Sequence, residues 1–143
     1  GGWTLADIST RRMVDLPEVS AMMPDTADIE RYVSYPRPVQ LVTGGTVRET
    51  RRPILFSDID QNQHVNNTRC ADWVCDLLGA GENGEDLLKG RYVASLAANY
   101  RQEILPGAPV TLTLTMQDVR FSMTCDRDGA RLLEAGGVLA DIV

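Results

Sequence analysis

The stretch Asp60-Gln61-Asn62-Gln63-His64-Val65-Asn66-Asn67-Thr68-Arg69-Cys70-Ala71-Asp72-Trp73-Val74-Cys75-Asp76-Leu77-Leu78-Gly79 divides into a polar half and a periodic half. In the periodic half Cys70, Trp73, Val74, Leu77 and Leu78 recur at i, i+3, i+4, i+7 and i+8. That spacing puts one apolar stripe on a helix running from about Asn67 to Leu78. Asn66 or Asn67 supplies the N-cap, because its side-chain oxygen can accept a backbone N–H that the first turn leaves unpaired. Gly79 and Gly81 stop the helix.

The segments that follow change period from 3.6 to 2. Tyr92 to Glu103 reads as a strand closed by Pro106-Gly107. Val110, Leu112, Leu114 and Met116 face one way and Thr111, Thr113 and Thr115 the other, a half-buried strand. Phe121, Met123 and Cys125 repeat the alternation, Asp126-Arg127-Asp128-Gly129 is a turn, and Ala130 to Ile142 returns as a last strand. Gly136-Gly137 marks a bulge in it. Upstream, Thr46 to Phe56 is a first strand, with Pro53 indicating an edge or a bulge. Strand, helix and four antiparallel strands make an α+β chain; one helix wrapped by such a sheet is the hotdog layout.

The first 45 residues are built differently. Trp3 to Ile8 reads as a strand, Pro17 to Met23 as a short helix with proline in its first turn, and Ala27 to Val33 as a further helical candidate. Pro24, Tyr35-Pro36-Arg37-Pro38 and Gly44-Gly45 make the rest a linker.

Bulk properties narrow the function. The chain has 143 residues, 43% hydrophobic and 24% charged, the balance of one globular domain with a short appendage. A net charge of −6 argues against nucleic acid, whose phosphates call for a basic surface. No apolar run reaches the roughly 20 residues of a membrane span. Three cysteines without Cys-x-x-Cys spacing suggest neither a disulfide framework nor a zinc site, and point to a reducing cytoplasm. No metal or cofactor is implied. Arg48, Arg51 and Arg52 form either a solvated strand face or a receiver for an acidic partner.

His64 is the chain's only histidine. With Asp60 and Asn62 it brings an imidazole, a carboxylate and a carboxamide to a helix N-terminus, whose free N–H groups can hold a developing oxyanion. These groups serve acyl transfer. Asp and Asn also form turns and caps, and a lone histidine can simply pack, so the residue pattern alone leaves both readings open. The spacing Asp58, Asp60, Asn62 is also that of a calcium loop, but the glycine and the closing glutamate are missing.

Ser57-Asp58-Ile59-Asp60-Gln61-Asn62-Gln63-His64-Val65-Asn66-Asn67, with Trp73 in the helix, resembles the Asp-x-Asn-x-His-Val-Asn-Asn signature of acyl-acyl-carrier-protein (acyl-ACP) thioesterases. Asn99-Tyr100-Arg101-Gln102-Glu103 is similar to that family's Glu-Tyr-Arg-Arg-Glu block. The resemblance implies hydrolysis of fatty acyl-ACP in fatty acid biosynthesis. It implies catalytic roles for Asp60, Asn62, His64 and Glu103, with Asn66 and Asn67 at the substrate. Asp60 would be nucleophile or general base, and Glu103 would activate or position water. Strand alternation puts Glu103 on the face of Asn99 and Arg101. Family members often carry cysteine after the glutamate; Ile104 stands here, which removes a cysteine nucleophile. Cys70 belongs to the apolar stripe.

Trp3-Thr4-Leu5, Thr10-Arg11-Arg12 and Leu16-Pro17-Glu18 resemble the family's junction between two hotdog repeats. Residues 1–45 would then be the tail of a preceding repeat plus a linker, and 46–143 the catalytic repeat, in a fragment or a shortened protein. A lone hotdog leaves a sheet edge uncovered, so a homodimer is expected. Two alternatives remain. One is an acyl-CoA thioesterase of the 4-hydroxybenzoyl-CoA type, similar through Asp60, His64 and Asn66 but commonly with glycine where Gln63 stands. The other is a non-catalytic hotdog module that binds acyl chains or only dimerises.

Overall fold

The computed structural model describes residues 7, 9–10, 12–22, 38–79 and 86–143. The chain divides into two units, Gly1–Arg37 and Pro38–Val143. In the first, α1 spans Pro17–Met22, with proline in the turn where its missing N–H does no harm. The strand expected at Trp3 to Ile8 (except Asp7, which is not in a strand), the helix at Ala27 to Val33, the linker residues Tyr35 to Arg37 and the stop at Gly81 lie outside the described residues.

In the second unit β1 (Thr46–Arg52), α2 (Arg69–Gly79), β2 (Arg91–Tyr100), β3 (Val110–Gln117), β4 (Arg120–Arg127) and β5 (Ala130–Asp141) follow in order. The five strands form one sheet in the order β1-β3-β4-β5-β2, antiparallel throughout. One helix with a five-stranded antiparallel sheet is the α+β hotdog arrangement anticipated above. The helix buries Cys70, Trp73, Val74, Leu77 and Leu78, all five positions of the predicted stripe. The same core takes Val110, Leu112, Leu114 and Met116 of β3 with Phe121, Met123 and Cys125 of β4. Because side chains alternate across a strand, the intervening threonines of β3 are only partly buried. Ser122 departs from this pattern: it is buried on the opposite face, where its hydroxyl accepts the Val42 N–H at 2.9 Å.

Three expectations change. Strand β1 ends at Arg52, four residues earlier than read, because Pro53 has no N–H to continue the ladder. Its arginines do not form one solvated face: Arg48 and Arg52 turn to α2, while Arg51 is exposed on the other side. Arg48 donates to the carbonyls of Leu77 and Leu78 at the C-terminal end of α2, at 2.7 and 3.0 Å, where a cation also meets the negative pole of the helix. Arg52 stacks on Trp73, 5.3 Å from the ring centre, and lies 3.5 Å from both Asp58 and Asp76. Finally, Gly136-Gly137 is not a bulge. The extra residue sits in β2, between Val93 and Ser95, and a Cβ on Gly137 would run into the Ser95 carbonyl oxygen. Glycine is present at that position so that the bulged strand can approach closely.

The β4–β5 turn places Asp128 and Gly129 at φ 51° and 78°, the left-handed pair of a two-residue hairpin.

Candidate active site

The polar half of the opening stretch is a closed loop. Phe56–Asp58 forms a single 3₁₀ turn after Pro53. Ile59 and Val65 then pair as an isolated antiparallel bridge. Inside it Asp60 N–H donates to the His64 carbonyl at 3.0 Å and Gln63 N–H to the Asp60 carbonyl at 3.1 Å. So tight a turn requires a left-handed residue, and Gln63 adopts φ 63°. Asp58, only 3% exposed, anchors the loop. One carboxylate oxygen accepts the Leu55 N–H at 2.9 Å, while the other lies 3.5 Å from Arg52 and 3.9 Å from Arg69. Its backbone carbonyl accepts the Asn66 N–H at 2.8 Å.

Within the loop the Asp60 carboxylate receives the Asn62 N–H at 2.8 Å and stands 3.5 Å from His64 Nδ1. The same Nδ1 lies 3.2 Å from the Val65 carbonyl. A carbonyl only accepts, so Nδ1 is the donor toward Val65, and in the neutral form of the ring Nε2 carries the lone pair. Both side chains are about one-fifth exposed, His64 at 21% and Asp60 at 19%.

α2 begins at Arg69, two residues later than expected, and Asn66 closes the turn before it, its side-chain oxygen accepting both the N–H and the hydroxyl of Thr68 at 2.9 Å. The N–H groups of Arg69, Cys70 and Ala71 donate to the carbonyls of Asn66, Asn67 and Thr68, and that of Asn66 to Asp58. Among the described residues, the Asn67 N–H is therefore the one amide between Asn66 and Ala71 that no hydrogen bond engages.

Two segments meet at this point. Val65 N–H donates to the Ile104 carbonyl at 2.8 Å, which sets His64 beside the neighbour of Ile104, Glu103. Between the segments is a cleft of about 340 Å³. His64, Asn66, Asn67, Tyr100 and Gln102 with Glu103 give it a polar side; Val65, Cys70, Trp73, Ile104 and Leu133 give it an apolar one. Glu103 does not arrive there by strand alternation. Strand β2 stops at Tyr100, and the N–H groups of Arg101 and Gln102 both turn to the Leu132 carbonyl, at 2.8 and 3.2 Å. These two hydrogen bonds to one acceptor break the period-two pattern. Arg101 instead ties its side chain to Glu134 at 2.8 Å. The Arg101 guanidinium in turn holds the Glu134 carboxyl below its usual range.

Of the residues named from the sequence, His64, Glu103, Asn66 and Asn67 line the cleft. Asp60 reaches it through His64, and Asn62 is an exposed residue of the same loop. Ile104 is buried, and so is Cys70, whose thiol burial pushes up to about 11. Sequence reasoning missed two residues. Asp58 had been considered only for its calcium-like spacing. Tyr100, inside the second block, donates its hydroxyl to the Asn67 carbonyl at 2.6 Å; its place in that block was its only signal in the sequence.

The family model for the acyl-ACP thioesterase C-terminal domain matches residues 45–132, more than half of the chain. The chain belongs to the acyl-ACP thioesterase family. Both segments of the cleft lie within the matched range. Among solved structures, this thioesterase-family chain is similar to a putative oleoyl thioesterase from Lactobacillus plantarum. That match has 24% identity and a TM-score of 0.68, and covers 94% of this chain and 53% of that one. It is also similar to the 12:0-ACP thioesterase from Umbellularia californica, with 17% identity, a TM-score of 0.66, and coverage of 96% and 53%. A thioesterase from Thermus thermophilus, complexed with coenzyme A and Zn, matches at 22% identity and a TM-score of 0.57, covering 66% of this chain and 78% of that one. At these identities the likeness is one of fold. The chain spans about half the length of the first two. No curated protein sequence matches it.

Proposed function

We propose that this chain hydrolyses the thioester of fatty acyl-ACP and releases the free fatty acid. The observation that carries the reading is the cleft. An imidazole with a basic Nε2, a carboxylate and an uncommitted helix-start N–H stand around one opening with an apolar inner wall. In this reading the acyl chain lies against Trp73, Ile104 and Leu133, and the thioester carbonyl accepts from the Asn67 N–H at the positive end of α2. Water held by Glu103 and His64 attacks the carbonyl carbon. A C–O bond forms, the C–S bond breaks, and the proton taken from water passes to the departing thiolate. Asp60 orients His64 and stabilises its charge, acting as general base through the ring; the nucleophile role requires its carboxylate to reach the cleft itself. Asn62 supports the loop. Each oriented group is worth roughly 10²-fold in rate.

The wider reading follows from the same family membership. Residues 1–45 are the tail of a preceding repeat and a linker, and 46–143 the catalytic hotdog. A homodimer covers what a second repeat would cover, and the protein acts in fatty acid biosynthesis in the cytoplasm. Among the described residues no helix is long and apolar enough to cross a membrane.

The test is a hydrolysis assay of the chain on acyl-ACP and acyl-CoA carrying the same acyl group. Faster turnover of the carrier-protein substrate supports the proposal. Faster turnover of acyl-CoA selects the 4-hydroxybenzoyl-CoA-type reading, and binding without turnover selects a non-catalytic module. Size-exclusion chromatography checks the dimer, which a compact monomer would contradict.

A further inference from the structure

Asn67 and Thr68 form the turn that leads into α2. Both residues are exposed, and the backbone turn bond that reaches Asn67, from Cys70 N–H to its carbonyl, is long at 3.3 Å beside the 2.9 and 3.1 Å of the turn bonds on either side. A short one comes from outside the helix: the Tyr100 hydroxyl donates to that carbonyl at 2.6 Å. Tyr100 is the last residue of β2 and pairs with Leu133, a core residue that is 1% exposed. Its ring therefore rises from the rigid sheet to the start of the helix, along the wall of the cleft. The Cys70 thiol, on the second residue of α2, is a close neighbour of the hydroxyl.

We propose that Tyr100 is a positioning residue for the reaction: by gripping the Asn67 carbonyl it fixes the Asn67 N–H where the thioester oxygen becomes an oxyanion. This rests on reading the cleft as a thioester site. An amide that accompanies the fraying of an exposed helix end is a poor oxyanion donor, because each excursion must be reversed before charge develops. A second tie from the sheet removes that motion. Its benefit appears in the transition state, where the oxygen has moved and gained charge, more than in the bound substrate. Burial and the neighbouring thiol push the Tyr100 hydroxyl up to about 12, so it stays protonated and able to donate throughout the neutral range.

Tyr100→Phe keeps the ring and removes the donor. With the whole 143-residue chain and an acyl-ACP or acyl-CoA substrate, kcat is expected to fall about tenfold while KM stays within about twofold. The thermal midpoint and far-UV circular dichroism should barely change, since the ring still fills its place. Unchanged kcat in the variant overturns the inference. So does a loss of kcat that comes with a matching rise in KM and a lowered midpoint, which is what general loosening of the fold would produce. A wild-type chain that hydrolyses no thioester overturns the underlying reading, and this inference with it. The two failures differ because the first appears only in the variant.

Discussion

In β3 four of eight side chains are buried at 6% exposure or less, whereas each cleft segment holds one buried residue, Val65 in the loop 59–67 and Ile104 in 100–104. The strand is held by a repeating contact that any apolar residue of similar size would satisfy. The cleft segments are held by individual hydrogen bonds: Val65 to Ile104, Asn66 to Asp58, Tyr100 to Asn67. The lesson is a division of labour. The sheet and helix supply stability through burial, and the candidate site depends on a few directional contacts.

The sharpest way to break this comparison is to alter the site without touching the core. Asp60→Asn or His64→Ala should lower hydrolysis by about 10³-fold or more with circular dichroism and the thermal midpoint nearly unchanged. Full activity in either variant would sink the assignment. The converse change is Leu114→Ala, at a residue with 0% exposure. It should cost roughly 2–5 kcal/mol in a urea titration while the folded fraction keeps its kcat. A loss of kcat equal to that of the His64 variant would mean that core and site are not separable.

A smaller effect is expected on the outer sheet face, at Glu134. Its folded pKa lies below the ordinary value near 4.5, held down chiefly by Arg101. A depressed carboxylate stabilises the fold above its unfolded pKa, and that contribution is lost as pH falls through the folded one. Glu134→Gln should therefore be less stable than the wild type at neutral pH, with the gap narrowing under acid. A gap that is constant with pH would show that the ion pair is not responsible. The smallest effect is expected at Gln63, in the left-handed region at φ 63°. Gln63→Gly relieves that strain and should raise stability by up to about 1 kcal/mol, partly offset by the freer unfolded chain. A loss of stability would mean that the Gln63 side chain contributes contacts worth more than the strain.

The core was legible because its signals are periodic. Cys70 to Leu78 and Val110 to Met116 repeat every 3.6 or 2 residues, and repetition survives an error of one position. The loop was legible for another reason: Asp60, Asn62, His64, Asn66 and Asn67 match a family signature, whereas their spacing alone also fitted a turn and a helix cap. Glu103 came from the second block and lines the cleft, but alternation does not put it there, since the strand ends at Tyr100. Gly136-Gly137 was misread because a glycine pair marks either a bulge or a close approach. Only the partner strand, with Ser95 against Gly137, distinguishes them.

By itself, then, the sequence determined which residues face the core, which face of the helix is buried, and which polar residues are candidates for chemistry. These follow from local period and motif, both properties of neighbours along the chain. Only the tertiary structure decided that Val65 bonds Ile104, that Asp58 is a buried anchor, that Arg48 and Arg52 serve the helix, and that Tyr100 grips Asn67. Each of these joins residues distant along the chain or depends on the environment that such partners create. A hydrogen bond between distant residues leaves no period for a sequence to display.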